Sequence, residues 1–249
     1  MAQTIGGSKE YEPARILGTV TIGQSPRTDL IPELKAAMGL EEDGRSRTPV
    51  KVIEAGALDG LTLEEVEKLA PQPGDYVLVT RMADGTPVKI AEKHILRRME
   101  EQIKRLVAEG ADVVALVCTG EFPEFPCEKL LVKPQLVLFH AVSAVAAGRR
   151  LGVLLPDEDQ IEQGYLRWSA VHGDRESPRD LVRIEAASPY GDPAQVEEAA
   201  RKLKEWGAEI IVMDCIGYTM AMKERVRSLT GVPVLLARSI LGRVIAELL

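Results

Sequence analysis

Short apolar runs alternate with amphipathic segments along most of the chain, and turns rich in glycine and proline separate them. Runs of four to eight apolar residues without polar alternation are typical of strands buried on both faces of a parallel sheet. Between these runs, apolar residues recur at helical spacing, as in the stretch from Ile90 to Glu109. The alternation predicts an α/β protein with helices on both faces of short parallel sheets.

Local signals predict where the elements begin and end. Ser25 is suited to cap a helix with Pro26 at its first position and an end near Gly39, and Thr62 and Glu65 have the spacing of a capping box. Further helices are predicted at 90–109, 141–148, 192–207, 219–231 and 237–249, and a loop at 83–90. Strands are predicted at 15–23, 50–56, 76–82, 136–139, 150–156, 181–188 and 231–236, and directly before Cys118 and Cys215.

One segment occurs twice. The stretch EGADVVALVCTGEF, which contains Cys118, and the stretch WGAEIIVMDCIGYTMA, which contains Cys215, both have a helix end, a glycine, an apolar run and then C-x-G. The offset between them is 97 residues (215 − 118), and it also carries Val137 onto Val234. The repeat predicts two similar lobes related by a pseudo-two-fold axis, each a short parallel sheet flanked by helices.

The predicted domains follow from this repeat. We expect residues 1–14 to form a flexible N-terminal tail, residues 15–140 the first α/β lobe and residues 141–236 the second. The C-terminal helix, 237–249, is a candidate to pack on the first lobe.

Each repeated cysteine falls at the carboxyl end of a predicted strand, where open α/β sheets bind their ligands. A following helix N-terminus would favour the thiolate form. Two such thiols, Cys118 and Cys215, facing each other across a cleft would suit removal of a proton from one side of a carbon and delivery to the other. The alternative is that both are core packing, since free cysteine is among the most buried residue types.

Other candidates surround this pair. Gly23, Ser25 and Arg27 form a strand–turn–helix anion site in which a carboxylate would take backbone N–H groups and a bidentate guanidinium. In the alternative, Arg27 is an exposed side chain beside a capped turn. Arg81 and Lys89 are second-rank contacts for an acidic ligand, or exposed loop charges. Neither Cys127 nor His140 is assigned to the chemistry; His140, at a predicted strand end, is structural or a general base.

Composition limits the class of protein. A net charge of −7 argues against a nucleic-acid surface, and no apolar run is long enough to cross a bilayer. Three cysteines, an odd number, indicate reduced thiols in a cytoplasmic protein, and the first residues lack the basic start and apolar core of a signal peptide. No histidine or cysteine has metal-ligand spacing, so no metal site is predicted.

The motifs TVTIGQSPRTD, GLTLEEVEKLAP and MDCIGY resemble the AroM family from about Ile16 onward. More broadly, the doubled lobes and paired cysteines resemble the aspartate/glutamate racemase superfamily. That resemblance implies catalysis without a metal or pyridoxal phosphate, by Cys118 and Cys215 as acid/base thiols. It also implies that Thr119 helps to hold a substrate carboxylate. We expect Gly120, Gly217 and Tyr218 to be substrate-binding residues as well. The superfamily's usual C-N-T and C-T-H motifs read CTG and CIG here, so activation of Cys215 would fall to Tyr218, Asp214 or the backbone.

Two functions remain open. The first is a cofactor-independent racemase- or isomerase-like enzyme that transfers a proton alpha to a carboxylate of a small amino acid or dicarboxylic acid. The second is a non-catalytic small-molecule-binding or regulatory protein, linked by the AroM name to aromatic biosynthesis. Both imply a small carboxylate-bearing ligand, no nucleic acid and no membrane. The last helix and the loop near Phe122 are candidates for a homodimer surface or for a cover over the cleft.

Overall fold

The structure is a computed structural model that describes residues 14–39 and 49–249. The predicted tail, apart from Ala14, and the polar connection at 41–48 lie outside the described residues. The strands are β1 Arg15–Thr21, β2 Val50–Gly56, β3 Val77–Arg81, β4 Pro87–Ala91, β5 Val113–Leu116, β6 Leu130–Val132, β7 Leu151–Leu155, β8 Val182–Ala186, β9 Ile210–Met213 and β10 Val234–Leu236. The α-helices are α1 Ile31–Ala37, α2 Leu63–Glu67, α3 Leu96–Ala108, α4 Pro134–Ala146, α5 Ile161–Ser169, α6 Pro193–Trp206, α7 Met220–Thr230 and α8 Ala237–Leu248.

Two four-stranded parallel sheets organise the molecule, as the apolar runs predict. The first has the order β2-β1-β5-β6 and the second the order β10-β9-β7-β8. Helices flank both sheets, which confirms the predicted α/β fold with two lobes. The remaining strands, β3 and β4, form an antiparallel hairpin.

The two lobes use glycine in the same ways. Gly18 in β1 and Gly152 in β7 sit under a helix, where an added Cβ would lie 3.1 Å from Leu106 or Leu203 respectively. Gly110 and Gly207 follow these same helices, α3 and α6. Their φ angles of 95° and 88° are in the left-handed region that only glycine adopts readily. These positions set the close approach of helix to sheet in each lobe.

The first predicted helix begins five residues later than expected (31 − 26). Ser25 does not cap it: its backbone N–H and its hydroxyl both donate to the Asp59 carboxylate, at 2.7 Å each. The helix begins at Ile31 instead, with a proline in its first turn. Because Ser-Pro and Leu-Ile-Pro are both acceptable helix starts, the choice depends on Asp59, which is distant in sequence.

The predicted strand at 136–139 is wrong. These residues lie inside α4, and the edge strand of the first sheet is β6. Since β6 and β10 are 104 residues apart (234 − 130), the 97-residue offset does not extend past the C-x-G motif. His140 is therefore an exposed helical residue and not the last residue of a strand.

Two smaller boundaries also differ from the sequence prediction. The predicted loop at 83–90 contains most of β4, and the helix predicted from Ile90 begins at Leu96. The capping box at Thr62 is confirmed. Phe122, proposed for a dimer surface or cleft cover, is 8% exposed and packs in the core beside α3.

The C-terminal helix α8 packs against α1 and α4, two helices that lie beside the first sheet. The contact with α1 is close, because an added Cβ at Gly242 would lie 2.6 Å from the Cβ of Ala37. Arg238, fully buried at the start of α8, donates to Glu33 of α1 at 2.8 Å. None of the helices within the described residues is long and apolar enough to cross a membrane.

Candidate functional site

Both repeated cysteines lie two residues beyond the carboxyl end of a strand, Cys118 after β5 and Cys215 after β9. In each case the backbone N–H of the glycine two residues on donates to the cysteine sulfur, at 3.3 Å from Gly120 to Cys118 Sγ and at 3.3 Å from Gly217 to Cys215 Sγ. We call residues 118–120 and 215–217 the two C-x-G turns. Each turn thus gives its sulfur a backbone donor that favours the thiolate.

The two cysteines line the same two small cavities. The first, the Arg167 cavity, has a volume of about 30 Å³ and the second, the Arg27 cavity, about 20 Å³. Such volumes hold one or two water molecules each. Besides the cysteines, the Arg167 cavity is lined by residues that include Tyr76, Thr119, Gly120, Gln160 and Asp214, and the Arg27 cavity by residues that include Val79, Thr80, Thr119, Tyr190 and Gly217.

A buried arginine holds the middle carbonyl of each C-x-G turn. Arg167, from α5, donates to the carbonyl of Thr119 at 2.9 Å, and Arg238 donates to the carbonyl of Ile216 at 2.9 Å. Arg238 also donates to the carbonyl of Gly217 at 3.1 Å. Their side chains are 8% and 1% exposed. Because these carbonyls are fixed, the glycine N–H groups that follow are held toward the sulfurs.

The carboxylate of Asp214, directly before Cys215, is paired at the edge of the Arg167 cavity. Its Oδ2 accepts from Trp168 Nε1 at 2.9 Å and lies 3.2 Å from Arg167 Nη1. The residue is 2% exposed. Arg167 also lies 3.2 Å from Glu121, so two carboxylates flank one guanidinium in this region.

Arg27 is buried and not exposed beside a turn. It donates through Nε and Nη2 to both oxygens of Asp29 at 2.8 Å, through Nη1 to Thr21 at 3.0 Å, and through Nη2 to the Tyr190 hydroxyl at 3.2 Å. Burial lowers the pKa of Arg27, but the bonds to Asp29 and Tyr190 outweigh it and raise that pKa overall. Arg81 lies 4.9 Å over the Tyr190 ring and 3.6 Å from Asp29.

Burial raises the pKa of both thiols, that of Cys118 to about 12 and that of Cys215 to about 11. The glycine N–H opposes this in both turns. The charge of Asp214 raises both pKa values, and that of Cys215 further raises the pKa of Cys118. Against this, the charges of Arg27 and Arg238 lower the pKa of Cys215, and the charge of Arg167 lowers the pKa of Cys118. The two thiols are a coupled pair in which Cys215 ionises more readily.

The predicted site residues divide into two groups. Cys118, Cys215, Arg27, Thr119, Gly120 and Gly217 line the cavities. Gly23 and Arg81 lie next to them, since an added Cβ at Gly23 would be 2.4 Å from the Thr80 hydroxyl and the Arg81 carbonyl.

Other predicted residues lie elsewhere. Tyr218 is fully buried outside both cavities and donates to the carbonyl of Ala187 at 2.6 Å, so it does not activate Cys215. Ser25 is held by Asp59, Lys89 pairs with Asp157 and Asp159, and Cys127 is remote from both cavities. The helix expected directly after Cys118 is absent from the described chain, where the next element is the strand β6.

The cavity-lining residues that the sequence did not single out include Tyr190, Arg167, Thr80 and Gln160. Of these residues, only Thr80 could be inferred from its place in the sequence, since it lies in the apolar strand that ends at the predicted contact Arg81. The others lie in polar segments, where no local pattern distinguishes them from surface residues. Among the described residues, no group of three His, Cys, Asp or Glu side chains could hold a metal ion.

Two parallel sheets whose strand ends meet around a shared cleft define a two-lobed α/β fold. The chain belongs to the AroM family, whose profile, described as "AroM protein", matches residues 17–249. No curated protein sequence matches the chain.

Several solved structures share this fold. The maleate isomerase Iso from Pseudomonas putida S16 has a TM-score of 0.60 at 13% identity, over 95% of this chain and 93% of that one. The aspartate racemase of Picrophilus torridus has a TM-score of 0.54 at 11% identity, over 94% of each chain. An arylmalonate decarboxylase has a TM-score of 0.52 at 16% identity, over 95% of this chain and 93% of that one. At these identities the likeness concerns the fold alone.

Proposed function

We propose that the protein is a cofactor-independent enzyme that transfers a proton at the carbon alpha to a carboxylate of a small amino acid or dicarboxylic acid. The observation that carries the proposal is that Cys118 and Cys215, at equivalent C-x-G turns, line the same two cavities. Relatives of this fold are named as a racemase, an isomerase and a decarboxylase, which supports chemistry of this kind.

In the proposed step, the Cys215 thiolate takes the α-proton and becomes a thiol, while the C–H electrons pass into the α-carbon and its carboxylate. The Cys118 thiol gives its proton to the opposite face and becomes the thiolate. Exchange with water then restores the starting protonation. Because the α-proton is a very weak acid, donors such as Thr119 and the Tyr190 hydroxyl would stabilise the developing charge.

The cavities are too small for an acid of three or more carbons, since ligand sites usually reach about 300 Å³ or more. Binding therefore requires the cleft to widen. The β3–β4 hairpin lies over the cleft, because Val79 lines both cavities and Val77 is bonded to Gln160 and Gln163 of the second lobe. A wider, wetter cleft would also bring both thiol pKa values down, since burial is what raises them.

The test is hydrogen–deuterium exchange at the α-carbon, followed by NMR in D₂O for a panel of amino and dicarboxylic acids. Cys118→Ala and Cys215→Ala should each lower the exchange rate by about 10²- to 10⁴-fold, the usual contribution of a general acid or base. Cys127→Ala is the matched control, because this third thiol lies outside both cavities, and it should leave the rate unchanged. Exchange that survives both substitutions at the repeated cysteines would remove the thiol pair from the mechanism.

A second candidate is a non-catalytic ligand-binding protein of the same fold. The raised thiol pKa values favour it, because both sulfurs are then protonated near neutral pH in the closed cleft. In that case an acid would stabilise the wild type and the Cys118→Ala, Cys215→Ala double variant equally in a thermal-shift assay, and no acid would exchange its α-proton.

A further inference from the structure

Arg167 Nε, on a residue that lines the Arg167 cavity, has no hydrogen bond but lies in an ion pair 3.2 Å from Glu121 Oε1. Three further buried polar atoms on residues that line the cavities have neither a hydrogen bond nor an ion pair among the described residues. They are Thr80 Oγ1, Gln160 Oε1 and Asp214 Oδ1. The three residues are 1%, 8% and 2% exposed. A buried polar atom left unpaired costs about 1–3 kcal/mol, so such atoms mark places where an occupant of the cavity supplies the missing bond.

The two unpaired atoms of the Arg167 cavity are both acceptors. Asp214 Oδ1 is a carboxylate oxygen whose partner oxygen is already bound to Trp168 and Arg167. The orientation of the Gln160 amide is fixed because its Nε2 donates to the carbonyl of Val77 at 2.9 Å, which leaves Oε1 as the free acceptor. This cavity therefore calls for a ligand group that donates hydrogen bonds.

The Arg27 cavity has the opposite character. Its unpaired atom belongs to the Thr80 hydroxyl, which can donate. The Tyr190 hydroxyl accepts from Arg27 at 3.2 Å and donates to no acceptor among the residues described. Two hydroxyl protons are thus free to meet an acceptor, which is what a carboxylate offers.

The formal charges around the two cavities differ in the same sense as their free hydrogen-bonding groups. The guanidinium groups of Arg27 and Arg81 both lie against one carboxylate, Asp29, while a second carboxylate, Glu54, accepts only from the backbone N–H of Arg27, at 2.7 Å. The guanidinium groups at that end therefore outnumber the carboxylates that contact them. At the other end, Asp214 and Glu121 flank the single cation Arg167, which leaves an excess negative charge. The two cysteines line both cavities and so lie along this gradient.

We infer that the substrate is an α-amino acid, bound with its carboxylate toward Thr80 and Tyr190 and its amino group toward Asp214 and Gln160. The inference rests on the proposed proton transfer for the position of the α-carbon between the thiols. A second carboxylate in place of the amino group would meet Asp214 and Gln160 Oε1, two acceptors and a like charge. The site therefore selects against diacids as well as for amino acids.

Four acids that share CH₃–CH(X)–COO⁻ test this directly: alanine, lactate, propionate and methylmalonate, with X an ammonium, a hydroxyl, a hydrogen and a carboxylate. Binding is measured by calorimetry on the Cys118→Ala, Cys215→Ala variant, so that no turnover interferes. Alanine should bind at least tenfold more tightly than propionate, lactate between them, and methylmalonate most weakly. Equal or tighter binding of propionate or methylmalonate, or no binding of any of the four, overturns the inference.

Two further variants assign the ends of the ligand. Gln160→Met should weaken alanine and lactate but not propionate, and the Val77 carbonyl stays satisfied because Gln163 Nε2 also donates to it at 3.0 Å. Thr80→Val, at the carboxylate end, should weaken all the acids by the same factor. An equal effect of Gln160→Met on alanine and propionate contradicts the placement of the amino group.

The two proposals fail in different ways. If alanine binds best but no acid exchanges its α-proton, the amino-acid site stands and the proton transfer does not. If exchange depends on both cysteines but is fastest for methylmalonate, the proton transfer stands and the assignment of the substrate class is wrong. Alanine is the probe because its side chain adds a single methyl group to the shared core.

Discussion

The two C-x-G turns have the same backbone but different surroundings. In both, a glycine N–H donates to the sulfur at 3.3 Å and an arginine donates to the middle carbonyl at 2.9 Å. The arginine at the Cys118 turn comes from α5 of the other lobe and pairs with Asp214. The arginine at the Cys215 turn comes from α8 and pairs with Glu33 of the first lobe. Each turn is thus braced by contacts that cross between the lobes.

The surroundings differ in charge. Cys215 lies near Arg27 and Arg238, both of which favour its thiolate. Cys118 has Arg167 alone, whose charge is shared with Asp214. The repeated backbone therefore supplies two similar thiols, and unrepeated side chains make them unequal. That inequality fits a pair in which one sulfur begins as base and the other as acid.

The largest expected effect concerns the two arginines. Arg167→Met should lower the free energy of unfolding by about 3–5 kcal/mol, because it leaves the buried Asp214 carboxylate without its cation. Arg238→Met should cost less, since its partner Glu33 is 35% exposed and can be hydrated. Urea unfolding of both variants measures the difference. A larger loss for Arg238→Met would mean that its bonds to the turn carbonyls outweigh its ion pair.

The glycines of the two turns give the next comparison. Neither has a positive φ, so alanine at either position is limited by space alone. At Gly217 the new Cβ would lie 2.5 Å from the Tyr190 hydroxyl and 2.9 Å from Pro189, whereas at Gly120 its nearest neighbour is the flexible end of Leu78 at 2.6 Å.

Gly217→Ala should therefore cost about 1–3 kcal/mol of stability, the usual cost of overpacking, and should displace Tyr190. Gly120→Ala should cost a similar amount of stability, because the buried Leu78 and the Phe122 ring, at 2.6 and 3.0 Å from the new Cβ, must shift, but it should leave Tyr190 in place. Thermal unfolding measures the stabilities, and alanine binding to the two variants reports on Tyr190. Equal loss of binding in the two variants would contradict a special role for the Tyr190 side of the cleft.

The features that the sequence predicted correctly are local or periodic. Apolar runs identify buried strands, Gly110 and Gly207 mark helix ends, and Thr62 with Glu65 marks a cap; the structure has all of these. The run at 136–139 was misassigned because a continuous apolar stretch fits a helix buried on several sides as well as it fits a strand. Pro134, which opens α4, is the signal that favours a helix there.

The composition of the cavities was only partly predictable. The cysteines were found because they repeat, and Arg27 because it follows a strand and a glycine turn. Tyr190, Arg167 and Gln160 have no repeated partner and no local motif, and they reach the cleft only through the packing of the second lobe. The partner that buries Arg27, Asp29, lies just two residues away, but nothing in the sequence shows that their side chains meet.

Alkaline pH should destabilise the protein through the thiols. Their pKa values of about 12 and 11 in the folded state lie above the ordinary 9.0, so the folded protein retains protons that the unfolded chain releases. Their stabilisation is complete below pH 9 and is lost as the pH rises through 11 and 12, with a slope of at most about 1.4 kcal/mol per pH unit for each thiol.

Urea unfolding between pH 8 and 11 measures this slope. Cys118→Ala and Cys215→Ala should each flatten it, since both thiols have raised pKa values. Buried tyrosines such as Tyr190 also have raised pKa values and add to the slope, and because the Cys215 charge helps to raise the pKa of Tyr190, Cys215→Ala lowers that contribution as well. Identical slopes in all three proteins would show that the thiols do not carry the effect.

The smallest expected effect is the most direct measure of the inequality between the turns. In Cys127→Ser proteins that keep one repeated cysteine each, the pH dependence of iodoacetamide alkylation gives an apparent pKa for each thiol, because the thiolate is the reacting form. The midpoint for Cys215 should lie below that for Cys118, by less than the difference between about 11 and about 12 in the intact pair, because the charge of Cys215 itself helps to raise the pKa of Cys118. The midpoint is the useful quantity and the absolute rate is not, since Cys215 is the more buried of the two and its rate is limited by access.

Arg238→Met should raise the Cys215 midpoint and leave that of Cys118 unchanged. A Cys118 midpoint at or below that of Cys215 would reverse the assignment of base and acid while leaving the pair itself intact.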